Sequence, residues 1–198
     1  MITLNLVFED ILSEQVMFRI LERFGNKYFI ANSYAGNGSG YIKKGISGFN
    51  QASKFNPFFV LTDLDTYLCP SGLINDWLKV QKESNLIFRV AIREVESWLL
   101  ADRKGISDFM GVDLKQIPIR SELLTDPKRS LISIATISKK RNIREDLVPK
   151  NNNATIGPNY NGRLTNFVLN FWSIDDAMKN STSLARAVAC IEKFQLSE

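Results

Sequence analysis

Residues 58–65 read Phe58-Phe59-Val60-Leu61-Thr62-Asp63-Leu64-Asp65. Pro57 opens an apolar, β-prone run that is too short for a helix, and two carboxylates close it. Such a run reads as a buried strand with an acidic carboxyl end. The pattern recurs on both sides: Ile2–Phe8 runs into Glu9-Asp10, and Leu86–Ile92 runs into Glu94-x-Glu96. Tyr28–Tyr34 is a fourth strand. Helical patterns lie between the strands. Ser13 serves as an N-cap ahead of Glu14, and Val16, Met17, Ile20, Leu21 and Phe24 form one apolar stripe, closed by Gly25-Asn26. A short helix spans Ile42 to about Ser53, past the glycine-rich loop Gly36–Gly40. Pro70-Ser71 starts another helix with Leu73, Ile74, Trp77 and Leu78 inward, and a further helix from Glu94 to Lys104 buries Val95, Trp98 and Leu99. The order βαβαβαβα predicts an α/β fold with a mostly parallel sheet flanked by helices.

From residue 103 the reading is a helical C-terminal extension, so the expected division is 1–102 and 103–198. Asp126-Pro127 is an N-cap followed by proline at the first helical position. Leu131, Ile132, Ala135 and Ile137 give one stripe, and Leu164, Phe167, Val168 and Phe171 give the next. Asn151–Asn161 is a long polar loop. Ser183 caps a last helix carrying Leu184, Val188 and Ile191.

Of the 198 residues, 44% are hydrophobic and 23% charged, the balance of a soluble globular protein. No stretch reaches the ~20 apolar residues of a membrane span, and Met1–Leu6 reads as a first strand rather than a signal peptide. Cys69 and Cys190 fit no zinc spacing and no disulfide framework, so cytoplasm is the default expectation. The chain has no histidine. That excludes Ser-His-Asp and Cys-His catalysis and His-ligated zinc. Acid–base chemistry must use carboxylates, Lys, Tyr or a metal-bound water.

Ligands of parallel sheets bind at the carboxyl ends of the strands, the end at which all three acidic clusters lie. Carboxylates converging there repel by about 4 kcal/mol per pair at ~4 Å and an effective dielectric of ~20. A hard divalent cation, Mg²⁺ or Mn²⁺, removes that penalty. Glu9, Asp63, Asp65, Glu94 and Glu96 are therefore the candidate metal ligands. Two glutamates two apart on a helix point about 200° apart, so Glu94 and Glu96 share a site only if Glu94 still lies in the strand-to-helix turn.

Glu9-Asp10 after the first strand, followed by Asp63-Leu64-Asp65 after a later one, resembles the Toprim signature shared by topoisomerases, primases and OLD-type nucleases. The resemblance covers roughly residues 1–100. The segments Arg93–Asp102 and Gly157–Asn161 are similar to small standalone bacterial Toprim-like proteins of unknown function. The resemblance implies that Glu9 does acid–base work or binds metal, that Asp63 and Asp65 bind Mg²⁺ or Mn²⁺, and that these three are the catalytic residues. Asp10 departs from the glycine that usually follows the Toprim glutamate, and Glu94-x-Glu96 lies outside the minimal signature.

The implied function is a metal-dependent nuclease cleaving phosphodiester bonds, with DNA ahead of RNA as substrate. By analogy with relatives, it would be the nuclease component of a bacterial phage-defence system, with an ATPase partner in trans. The alternative is a non-catalytic module that binds nucleic acid or protein and retains the fold.

The net charge of +4 fits a polyanionic partner. Residues 1–100 hold ten basic and ten acidic side chains, so the excess lies in the second half. Lys139, Lys140, Arg141, Arg144 and Lys150 form its densest stretch. Lys43, Lys44, Arg93 and Lys128 complete the candidate phosphate contacts. Tyr160 reads as packing, and Trp77, Trp98 and Trp172 as core.

Overall fold

The computed structural model describes residues 1–36, 38–151 and 153–197. Asn37 of the glycine-rich loop and Asn152 of the polar loop lie outside the described residues. The chain divides into two compact units, residues 1–92 with 185–198, and residues 93–184. This differs from the division expected after residue 102. The helix before that point packs against later helices of the second unit, and the chain's last residues belong to the first.

The first unit runs β1 (Ile2–Phe8), α1 (Ile11–Glu22), β2 (Tyr28–Ala35), α2 (Ser39–Ala52), β3 (Phe58–Asp63), α3 (Pro70–Trp77) and β4 (Leu86–Ala91). The four strands form one parallel sheet in the order β2-β1-β3-β4. Val7 is level with Val60, and Asp63 with Ala91. The inner strands read as continuous apolar runs because both faces are covered. Val7, Val60, Phe88 and Val90 pack with Ile42 and Ile46 of α2 and Leu73 and Trp77 of α3. Val16, Met17, Ile20 and Leu21 make the buried stripe of α1, whereas β2, at the sheet edge, is mostly exposed.

The N-cap of α1 is Asp10 and not Ser13. Asp10 Oδ1 accepts from the Ser13 amide at 2.8 Å, and Ser13 itself is buried in the first turn. Both residue types cap well, and the structure starts the helix at the earlier one. At the chain's end the Ile191 carbonyl accepts from the Tyr28 hydroxyl and the Lys27 ammonium. Asn85 and Ser197 exchange two hydrogen bonds, at 3.2 and 3.0 Å.

The second unit contains α4 (Val95–Ala101), α5 (Arg103–Met110), α6 (Pro127–Thr136), α7 (Arg141–Leu147), α8 (Tyr160–Asn170) and α9 (Ile174–Asn180); α10 (Thr182–Lys193) closes the chain. The single helix expected over 94–104 is two. It breaks at Asp102, whose buried carboxylate accepts from the Gly105 amide at 2.9 Å and the Ser173 amide at 2.8 Å. Asp126 caps α6 through the Arg129 amide, with Pro127 first in the helix. Two residues leave their expected stripes: Ile137 is 53% exposed and Phe171 56%. Each lies just past the end of its helix, where the 3.6-residue period no longer sets direction. Gly157 sits where the chain turns into α8. A Cβ there would overlap the Asp146 and Leu147 backbone, so only glycine fits. Among the described residues, no helix is long and apolar enough to cross a membrane.

Candidate functional site

The strand order 2-1-3-4 makes the gap between β1 and β3 a switch point. The connection leaving β1 goes to β2 on one side, and the one leaving β3 goes to β4 on the other. In open parallel sheets, ligands bind outside the carboxyl ends of the strands at such a point. Glu9 and Asp63 stand at that gap, the first just past β1 and the second closing β3. They are in contact. Glu9 Oε1 accepts from the Thr62 hydroxyl and from the Asp63 amide, the latter at 2.9 Å. The loop after β2 joins them, since the Gly38 amide donates to the Glu9 carbonyl at 3.3 Å. Gly38 has φ +90°, open to glycine at little cost, which accounts for one glycine of the loop without a phosphate.

Burial pushes the Glu9 carboxyl above its ordinary value. The Thr62 and Asp63 hydrogen bonds oppose that push, while the charges of Asp65 and Asp10 add to it. Asp65 holds φ +48°, the left-handed region that Asp tolerates better than most residues. A desolvated glutamate near a second carboxylate on a left-handed turn keeps like charges close, which adds to the proton affinity of the glutamate.

Among the described residues, no group of three or more Asp, Glu, His or Cys side chains stands close enough to hold a metal ion. The five carboxylates singled out in the sequence do not form one cage. This donor set still fits Mg²⁺, which keeps several waters and takes one or two carboxylates plus substrate phosphate oxygens. Glu9 and Asp65 are the pair that would hold it, with Asp63 fixing Glu9 through its backbone.

Glu94 and Glu96 belong to the second unit and have other partners there. Glu94 is the extended N-cap residue of α4, so it does lie in the turn, and its Oε2 accepts from the Lys128 amide at 2.8 Å. Glu96 is buried on α4. Its Oε1 accepts from the Tyr160 hydroxyl at 3.0 Å and lies 3.5 Å from the Lys128 ammonium. Burial pushes Glu96 up to about 6, against the pull of Lys128. Tyr160 is core, as read, but its hydroxyl also serves Glu96.

The basic candidates divide. Lys43 and Lys44 are exposed on α2, and Lys43 is ion-paired to Asp76 at 2.9 Å. Lys140 donates to the Asp108 and Phe109 carbonyls at 2.8 and 2.9 Å and so caps the end of α5. Arg141 pairs with Glu145 at 2.7 Å, and Arg144 donates to the Ser138 carbonyl. Lys139 and Lys150 are exposed, while Arg93 is half-buried in the turn before α4. Much of the densest basic stretch thus holds the local fold.

Sequence reasoning missed Thr62 as the orienting partner of Glu9. Its signal is a polar residue inside a fully buried strand, one place before the motif aspartate. Comparison of the chain with protein-family models, with curated proteins and with solved structures finds no significant match.

Proposed function

We propose that the chain is a Toprim-like, Mg²⁺- or Mn²⁺-dependent nuclease acting on nucleic-acid phosphodiester bonds. The observation that carries this reading is the Glu9 carboxylate, desolvated at the switch point, bonded to Thr62 and the Asp63 amide, with the Asp65 charge beside it. Thr62 and the Asp63 amide orient Glu9 through one oxygen. Asp65, projected from a left-handed turn, supplies the second charge. A bound divalent ion would neutralise charge at a phosphodiester and acidify a water. Glu9 would then position that water or accept its proton. Lys44, exposed on α2 of the same unit, is available for a backbone phosphate. A role in phage defence, with an ATPase in trans, remains an analogy with the resembled family.

The test is plasmid nicking and single-strand cleavage, of DNA and of RNA, with Mn²⁺, Mg²⁺ or EDTA. Cleavage is expected only with metal, and Glu9→Gln and Asp65→Asn are each expected to lower it about a hundredfold or more, the size of effect seen on removing one charge-stabilising group. Metal-independent cleavage, or full activity in both variants, rules the reading out.

One observation favours a second reading, a non-catalytic nucleic-acid-binding module. Among the described residues, three carboxylates do not converge. That reading expects no cleavage under any metal, with binding that survives EDTA and falls steeply with salt.

A further inference from the structure

The second unit carries a cavity of about 370 Å³, within the size range of small-ligand sites. Phe109, Phe171, Asn142, Asn166, Lys140 and Asp108 are among its walls. Phe171 is the anomaly that draws attention to it. The residue continues an apolar stripe whose other members are buried, yet it is 56% exposed, whereas Phe109 beneath it is 7% exposed. The two ring centroids are 5.4 Å apart at 49°. A buried ring therefore backs a phenyl group that leaves much of its surface to water, and a planar ligand would cover that surface.

The polar groups around the ring narrow the ligand's chemistry. Asn142 on α7 and Asn166 on α8 are both exposed. Asn142 Oδ1 accepts from the Ile143 amide at 3.0 Å, leaving its two N–H donors. Among the described residues, no hydrogen bond engages the Asn166 carboxamide, which both donates and accepts. Lys140 uses two of its three donors on carbonyls and keeps its charge at the rim. The other charges nearby are matched, Asp108 by Lys104 and Arg163 by Asp146. A stacking face, carboxamides beside it and one unmatched cation suit a heteroaromatic ring that carries an anion. A plain hydrophobe would not use the amides, and an acidic peptide would not use the ring.

We propose that this cavity binds a nucleobase together with its phosphate. The base stacks on Phe171, its edge meets Asn142 and Asn166, and the phosphate lies against Lys140. Either a single-stranded nucleic acid or a free mononucleotide carries that chemistry. Binding here is separable from cleavage at Glu9, because it needs no metal.

The full chain is titrated in EDTA with three probes: an oligothymidylate, an abasic oligomer of the same length, and thymidine monophosphate. The oligothymidylate is expected to bind about tenfold or more tighter than the abasic oligomer, the effect of stacking one base on an aromatic side chain. Phe171→Leu keeps the apolar packing and removes the aromatic face, and it is expected to erase that difference without a change in melting temperature. Asn166→Ala is expected to narrow the difference. Competition by the monophosphate assigns the site to free nucleotides, and its absence alongside oligomer binding assigns it to a strand. Equal affinity for the two oligomers overturns the proposal, as does binding of no probe, or a base preference that Phe171→Leu leaves intact. A failure of Glu9→Gln to affect cleavage leaves this measurement untouched.

Discussion

Glu9 and Glu96 are both glutamates with raised proton affinity, and burial raises each, but their surroundings separate them. Glu9 has carboxylates for neighbours, Asp65 and Asp10. Glu96 has Lys128 and the Tyr160 hydroxyl. Like charges add to the proton affinity of the first, whereas the Lys128 charge lowers that of the second. Linkage makes the distinction measurable. With its folded value near 6 and its ordinary value at 4.5, Glu96 binds its proton more tightly in the native state than in the unfolded one. Its contribution to stability is therefore greatest below about 4.5 and falls as pH rises through about 6. Glu96→Gln keeps the acceptor for Tyr160 and removes the titration. Urea unfolding from pH 4 to pH 7, each an approximate bound on that window, is expected to show a flatter stability profile in Glu96→Gln than in the parent chain. An unchanged slope would mean that Glu96 does not titrate in that range. The adjacency of Glu9 and Asp63 was legible in the sequence, because carboxyl ends of neighbouring parallel strands share one rim. The partner of Glu96 was not, since Tyr160 lies 64 positions away in the chain and nothing local pairs them.

At the scale of elements, the four strands and the helices between them follow from apolar runs and their punctuation. Pro57, Cys69-Pro70 and Asp126-Pro127 each stand where an element begins. Errors gather where a polar residue has two possible uses. Asp10 takes the cap that Ser13 also suits, and Asp102 breaks a helix by accepting from Gly105 and Ser173. Loop geometry was the least legible, because it depends on what the loop passes. Gly157 lies against the Asp146–Leu147 backbone at the end of α7, and its amide donates to the Leu147 carbonyl at 3.1 Å. Gly157→Ala forces that approach apart and is expected to cost about 1–3 kcal/mol, the usual size of an overpacking penalty. Chemical denaturation would show it as a lower midpoint at unchanged slope. A change within a few tenths of a kcal/mol would mean that the α7–α8 connection yields freely.

At the scale of the whole molecule, the chain's last segment decides whether the sheet unit is complete. Residues 185–198 belong with residues 1–92, which no local pattern announces, since α10 reads as an ordinary amphipathic helix at the end of a helical region. Val188, Ile191 and Phe194 are buried, and the Ile191 carbonyl holds Tyr28 and Lys27 while Ser197 holds Asn85. Fully burying side chains of this size contributes roughly 1.5–3 kcal/mol each, against a total domain stability of about 5–15 kcal/mol. A chain ending after Leu184 is therefore expected to lose the cooperative thermal transition of the sheet. The milder Ile191→Ala, in the full chain, is expected to cost about 2–5 kcal/mol. The same variant tests whether the sheet supports the acidic site. Glu9 is held by residues of β3, so under the proposed metal-dependent reading a loosened sheet should weaken stabilisation by added Mn²⁺ together with fold stability. If Ile191→Ala costs less than about 1 kcal/mol, below the range for a well-packed core residue, the final helix is an appendage and the sheet unit is complete without it.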